Sequence, residues 1–218
     1  VSDTPEGRDT VGSVYEAVFR DLSNGVLVGG QRLKVVDLAK RYGVSTSPVR
    51  EVLRRMQGEG FVEINHNRGA TVRRTDPDAV RNVYEMLRLL EPYFVSWFAQ
   101  FAQPEMVDKL AAVQERIAAT PITDLARFRE LDIEFHGLIC KRHYNDRAVA
   151  SWRNLRHALL VFSAPLAIGP ARYRTIVLEH EQLIAAFRDN DIEAALATIE
   201  CHLDGSFEQM TQQMRILD

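Results

Sequence analysis

The chain has 218 residues, 46% of them hydrophobic, and a formal net charge of −3. That length fits one or two domains with real cores, and no run of about 18 apolar residues is present to cross a membrane. Two cysteines, Cys140 and Cys201, are too few for a disulfide framework and suit a reducing cytoplasm. Val1–Arg8 carry no apolar stretch of the kind a secretory signal needs, so a cytoplasmic location is expected. The small net charge hides an asymmetry. Residues 1–76 hold 12 Lys and Arg against 10 Asp and Glu, residues 77–218 hold 15 against 20, and residues 43–74 alone carry six Arg and three Glu. Basic charge concentrated in one short stretch is the footprint a polyanionic surface requires.

Residues 10–23 repeat apolar side chains with a helical period (Val11, Val14, Tyr15, Val18, Phe19, Leu22), and Asn24-Gly25 stops them. A short helix is expected over 35–42, with Val35, Leu38, Ala39 and Tyr42 as its apolar face. Gly43 can take the left-handed conformation that ends it. Ser45 or Thr46 can cap the next helix, and Pro48 fits a first turn that needs no N–H. That next helix has two faces: Val49, Val52, Leu53 and Met56 inward, Ser47, Arg50 and Arg54 outward. A helix, a turn of about four residues and a second helix opening with small polar groups and an Arg is the layout of a helix-turn-helix, whose second helix enters the major groove N-terminus first. After Gly58 or Gly60, residues 61–64 alternate as a strand, 65–69 are turn chemistry and 70–74 return, a hairpin whose tip carries His66, Asn67 and Arg68 for phosphate or minor-groove contact. Three helices and a hairpin predict a winged helix-turn-helix over residues 1–76.

Gly-Gly-Gln-Arg-Leu (29–33), Leu-Ala-Lys-Arg-Tyr-Gly-Val-Ser (38–45), Ser-Pro-Val-Arg-Glu-Val-Leu (47–53), Gly-Phe-Val-Glu (60–63) and Asn-Arg-Gly-Ala-Thr-Val (67–72) together resemble the DNA-binding domain of GntR-type transcriptional regulators. The resemblance implies that Arg50 contacts DNA and that His66 belongs to the wing, with Gly69 shaping its tip. Two positions depart from the family. Thr46 stands where an Arg is usual after Gly-Val-Ser, which removes a bidentate guanine contact. Val36 stands where some relatives carry a DNA-contacting Arg.

Thr75-Asp76-Pro77 is a boundary and a helix start together. Beyond it the pattern is helical throughout, and an all-α bundle of six helices is expected at about 77–102, 104–119, 123–143, 146–167, 172–190 and 191–215. Within this bundle four polar residues sit on or beside apolar stripes. Asp132 and His136 lie one turn apart beside Phe128, Leu131, Phe135 and Ile139, so their side chains converge. His180 is in line with Ile176, Leu183, Ile184 and Phe187, and His202 with Ile192, Ala195 and Ile199. A carboxylate and three imidazoles from three helices is how bundles build metal sites, and the set suits a first-row divalent ion, Zn²⁺ first, with Ni²⁺ or Mn²⁺ as alternatives. Singly, each group has a plainer reading: an inward His is commonly a hydrogen-bonded core residue, and Asp132 could pair with Arg129 or Arg172. Four together, unpaired, would cost several kcal/mol. His143 and His157 show no partner pattern, and Cys140 reads as a small buried residue. A water-activating metalloenzyme fits poorly, because Glu134 and Glu181 each point about 100° around the helix from the neighbouring ligand and no nucleophile pair or phosphate loop is present.

Asp132-Ile-Glu-Phe-His136, Glu179-His180-Glu-Gln-Leu-Ile-Ala-Ala and Ala194-Ala through His202-Leu resemble the FCD ligand-binding domain of the FadR-type branch, and six helices rather than seven are closer to its VanR-like subgroup. The resemblance implies a metal held by Asp132, His136, His180 and His202, an organic-acid effector beside it that alters DNA affinity, and a homodimer on a near-palindromic double-stranded operator. Arg88, Arg153 and Arg156 are candidates for the effector's counter-charge. Residue 87, where the family's first bundle helix usually has an Arg, is Leu here, with Arg88 after it. An ion that is itself the signal is the main alternative.

Overall fold

The computed structural model describes residues 5–65 and 69–217. The chain divides between Thr75 and Asp76 into two compact units.

In the first unit α1 (Pro5–Ser23), α2 (Val35–Tyr42) and α3 (Thr46–Gly58) pack beside a small sheet of β1 (Arg32–Leu33), β2 (Val62–Asn65) and β3 (Gly69–Val72). Helix α1 begins before the expected residue 10, because its first turn is polar and leaves no apolar period to detect. The strand order is β1-β3-β2, all antiparallel, with Leu33 opposite Ala70 and Val62 opposite Val72. Strand β1 extends the expected hairpin into a three-stranded sheet. Two residues cannot display an alternating pattern, and backbone bonds hold them in place: Gly30 N–H donates to Val72 C=O and Val72 N–H to Gln31 C=O. Gly30 itself has φ +83°, and a Cβ there would lie 2.8 Å from Arg74 Nε.

The turn between α2 and α3 follows from its residues. Gly43 is left-handed (φ 68°, ψ 30°) and closes α2 with its N–H on Ala39 C=O. Ser45 is the extended N-cap of α3, and its hydroxyl makes no capping bond. Val49, Val52, Leu53 and Met56 are buried where α3 packs on α1 and α2, whose Val14, Val18, Leu22 and Leu38 are buried too, each contributing about 1.5–3 kcal/mol. Two tyrosines fasten the helices at the rim. Tyr42 donates to Asp21 Oδ2 at 2.6 Å, where Arg41 also pairs, and Tyr15 donates to Glu59 Oε2 at 2.6 Å.

The second unit is all helical among the described residues: α4 (Pro77–Phe101), α5 (Pro104–Ala119), α6 (Leu125–Cys140), α7 (Asp146–Ser163), α8 (Pro170–Arg188) and α9 (Ile192–Leu217). Asp76 caps α4 by accepting from Ala79 N–H, with Pro77 next; Asp124 and Asn145 cap α6 and α7 in the same way. Helix α7 stops at Ser163 rather than near 167. Leu166 and Ile168 continue the apolar pattern, but Pro165 removes a donor and clashes with the preceding turn. Helix α4 packs against α6, α7, α8 and α9, and its Leu87, Phe94 and Phe98 are at most 1% exposed, as are Phe135 of α6 and Leu183 of α8.

Candidate functional site

In the first unit, Ser45, Thr46, Ser47, Arg50 and Arg54 are all exposed around the start and outer face of α3. Arg50 and Arg54 make no hydrogen bond or ion pair with another described residue. Arg55, one position further, is occupied: it pairs with Glu59 at 3.0 Å and lies 3.8 Å over the Tyr15 ring. Arginines one residue apart thus serve different ends, two reaching outward and one fastening α3 to α1. Val36, in the first turn of α2, is 68% exposed. Gly69 opens β3 with φ +78°. His66, Asn67 and Arg68 lie outside the described residues.

In the second unit, Asp132 and His136 of α6, His180 of α8 and His202 of α9 come together, with one ligand atom from each within 4.8 Å of every other. The three imidazole centroids form a near-equilateral triangle of 5.2, 5.0 and 5.1 Å. All three rings are buried, and Phe135 stacks on His180 at 4.1 Å. Asp132 Oδ1 lies 3.6 Å from His180 Nε2 and 4.0 Å from His136 Nε2.

The outer ring nitrogens are each faced from a neighbouring element. His202 Nδ1 is 2.8 Å from Glu179 Oε2, His180 Nδ1 is 3.0 Å from Gln114 Oε1, and His136 Nδ1 is 3.4 Å from Glu91 Oε2. Gln114 Nε2 donates to Val177 C=O at 3.0 Å, which assigns its Oε1 as the acceptor. His180 Nδ1 therefore carries the proton, and its Nε2 presents a bare lone pair; the Glu179 carboxylate imposes the same tautomer on His202. Two of the inward nitrogens, His136 Nε2 and His180 Nε2, are buried without a hydrogen-bond partner. An unsatisfied buried nitrogen costs about 1–3 kcal/mol. Lone pairs of imidazoles and a carboxylate aimed at one another repel unless a cation lies between them, so these residues fit a divalent metal.

Electrostatics prepare the same state. Burial, reinforced by the Arg156 guanidinium and the neighbouring imidazoles, holds His136 well below the usual value of 6.5. Burial again, then His202, Arg156 and Arg172, does so for His180. Both rings are neutral at pH 7, as metal ligation needs. Burial pushes the Glu179 carboxyl up, but hydrogen bonds from His202 and Arg172 outweigh it and leave it below its ordinary value.

The cation on Asp132 is neither of the two expected. Arg129 donates to Leu166 C=O at 2.6 Å and Arg172 to Glu179 at 2.8 Å, while Arg156 of α7 reaches Asp132 Oδ2 at 3.4 Å. Arg156 also donates through Nε to Glu91 Oε1 at 2.6 Å, where Trp152 adds its indole N–H at 2.9 Å. Beside Asp132 opens a pocket with about 620 Å³ of empty space, part of it continuous with solvent. Its polar wall is Arg129, Asp132, Arg156, Ser163, Ser206 and Gln209; its apolar wall includes Tyr84, Phe128, Leu159, Ile176 and Met210. Of the three arginines considered for an anionic ligand, Arg156 lines this pocket. Arg88 pairs with Asp204 at 2.7 Å and Arg153 is exposed; neither is in the lining. Sequence reasoning missed Glu91, Gln114 and Glu179. Their signal was faint: Glu179 adjoins His180, and Gln114 is a polar residue at a buried position of α5. His143 is buried among Tyr93, Phe94, Trp97 and Tyr144, outside the cluster, and burial pushes the Cys140 thiol up to about 12.

A winged helix-turn-helix with an outward-facing arginine pair, joined to a helical bundle holding a pocket, defines the class of DNA-binding transcriptional regulators. Comparison with known proteins gives the family. Residues 10–72 match the bacterial regulatory proteins of the gntR family and residues 82–205 match the FCD domain. The chain is 24% identical over 200 residues to the HTH-type transcriptional regulator YdhC of Bacillus subtilis, covering 90% of this chain and 88% of that one. It is 23% identical over 202 residues to the gluconate operon transcriptional repressor of Bacillus licheniformis, covering 88% and 83%. The solved structure of E. coli McbR/YncC shares the fold with a TM-score of 0.84 at 22% identity, over 94% of this chain and 98% of that one. The protein belongs to the GntR family, in the branch that carries an FCD domain. Its relatives are regulators, and it is a regulator and not an enzyme. Among the described residues no helix is long and apolar enough to cross a membrane.

Proposed function

We propose that this regulator binds a divalent metal through Asp132, His136, His180 and His202, and beside it a small organic acid that modulates its affinity for a double-stranded operator. The observation that carries the reading is the convergence of the unpartnered Nε2 atoms of His136 and His180 on Asp132, which in turn lines a pocket with Arg156. A bound ion would offer open coordination positions to a carboxylate, and Zn²⁺ is the first choice, ahead of Ni²⁺ and Mn²⁺. Arg156 and Arg129 supply cationic partners on the pocket wall. The pocket favours an effector over the ion alone as signal, and a relative named for the gluconate operon points to the same ligand class. On the DNA side, Arg50 reads a base, with Ser45, Thr46, Ser47 and Arg54 around it and His66, Asn67, Arg68 and Gly69 at the wing. A VanR-like homodimer on a near-palindromic operator completes the reading, because one winged helix offers only a small interface.

Calorimetry of chelator-stripped protein with Zn²⁺ at pH 7.5, followed by a thermal-shift screen of metabolic acids on the loaded protein, tests it. One ion per chain and a stabilising acid that changes operator affinity are expected. No uptake of Zn²⁺, Ni²⁺ or Mn²⁺ would leave the cluster as a hydrogen-bonded polar core. A response to metal with no acid effective would make the ion the signal. Light scattering with operator DNA present should give a dimer.

A further inference from the structure

Two of the three imidazoles are held from outside the cluster by well-formed hydrogen bonds, and the two holders are unlike each other. Gln114 is neutral, and its amide is locked between Val177 C=O and His180 Nδ1. Glu179 is charged and is itself held by Arg172. Arg172 lies across to α9, where its Nη2 donates to His202 C=O and Ser206 Oγ at 2.8 and 2.9 Å. It passes over Gly205: a Cβ at that position would lie 2.7 Å from Arg172 Nη1 and 2.9 Å from its Cζ. No other residue type leaves this slot open. The connected series Gly205, Arg172, Glu179 and His202 thus ends on a metal-facing imidazole.

We propose that Gln114 and Glu179 are the positioning residues of the metal centre, accepting the Nδ1–H of His180 and His202 so that both Nε2 lone pairs face the ion, and that Arg172, seated on Gly205, keeps Glu179 in place. The inference rests on the metal reading above. It is physically distinct from ligation, because none of these residues would touch the ion. A carboxylate or amide behind a ligating imidazole fixes ring orientation and tautomer and raises ligand basicity, and its removal lowers metal affinity about 10- to 100-fold.

Gly205→Ala is the sharpest test, since it removes no polar atom. Alanine favours the helix over glycine, and the atom it displaces is the end of a flexible side chain. The variant should keep or raise its metal-free melting temperature while its affinity for Zn²⁺, read by calorimetry against a competing chelator, falls by about tenfold. Glu179→Leu and Gln114→Leu, which remove the acceptor, should each lose about 10- to 100-fold, and Gln114→Glu, which keeps an acceptor, should retain more affinity than Gln114→Leu. Nitrogen-15 spectra of the metal-free wild type should show His180 and His202 protonated at Nδ1, and Gln114→Leu should disturb only His180. Wild-type Zn²⁺ binding with all four variants unchanged in affinity would overturn this inference and leave the metal site standing. Failure of the wild type to bind Zn²⁺, Ni²⁺ or Mn²⁺ would overturn both.

Discussion

The outer face of α3 and the interior of the helical bundle place polar side chains under opposite conditions. Arg50 and Arg54 stand in solvent with no partner among the described residues, and their charge is available to anything that approaches. His136, His180 and His202 are at most 3% exposed, and a polar group faces the outer nitrogen of each ring. An exposed cation needs no preparation, because water solvates it until DNA releases its counterions. A buried imidazole must be oriented, kept neutral and given a partner, or it destabilises the fold. The first kind of site is built from one helix and a turn. The second takes residues from all six helices of its unit, counting Glu91 of α4, Gln114 of α5 and Arg156 of α7 around Asp132 and the three imidazoles.

Substitutions can break or sharpen this contrast. The largest effect belongs to the buried site: His180→Ala or His202→Ala should lower Zn²⁺ affinity by more than about 100-fold, beyond the loss from a supporting residue, while His157→Ala leaves calorimetric binding unchanged. Equal effects at the three positions would dissolve the cluster as a unit.

Acid should separate the two regions next. In the unfolded chain His136 and His180 take a proton near pH 6.5, whereas in the folded, metal-free protein both are held well below that value. The unfolded state binds more protons in that window, so stability is fully present above about pH 6.5 and is lost as pH falls below it, by up to about 1.4 kcal/mol per pH unit for each residue. Denaturant titrations of metal-free protein from pH 7.5 to 5 should show this loss, and His180→Gln should reduce its slope. A flat profile would mean that the rings are not sealed from water.

Smaller effects are expected on the exposed side. Arg50→Ala should weaken operator binding by about 1–3 kcal/mol with little change on random DNA, as loss of a base contact does. Equal loss on both would make Arg50 a backbone contact. The smallest change is at Arg55, whose ion pair and ring contact together contribute on the order of 1 kcal/mol to the first unit. Arg55→Ala should shift thermal stability slightly and specific DNA affinity hardly at all, so that a gel-shift loss comparable to that of Arg50→Ala would contradict the division of labour along α3.

What the amino-acid sequence determined by itself is whatever is local. Gly43, Ser45 and Pro48 act on their own backbone, so α2 spans the expected 35–42 and α3 starts directly after Ser45, whose extended backbone marks the boundary without a capping bond. The apolar period of six long segments made the bundle legible for the same reason: a helix must bury its stripe, whatever the partner. Ligand candidates could be read because the inward face of a helix follows from spacing alone. Tertiary structure decided everything that depends on which elements meet. Strand β1 exists only because Gly30 and Gln31 reach β3. Asp132 found Arg156, which lies 24 residues away on α7, rather than Arg129 on its own helix, whose guanidinium went to a carbonyl of the α7–α8 connection. Gln114 and Glu179 met His180 and His202 only through the packing of α5, α8 and α9. Spacing along one helix reports which way a side chain points, but hydrogen bonds act over about 3 Å, and only the assembled bundle brings such groups within that distance.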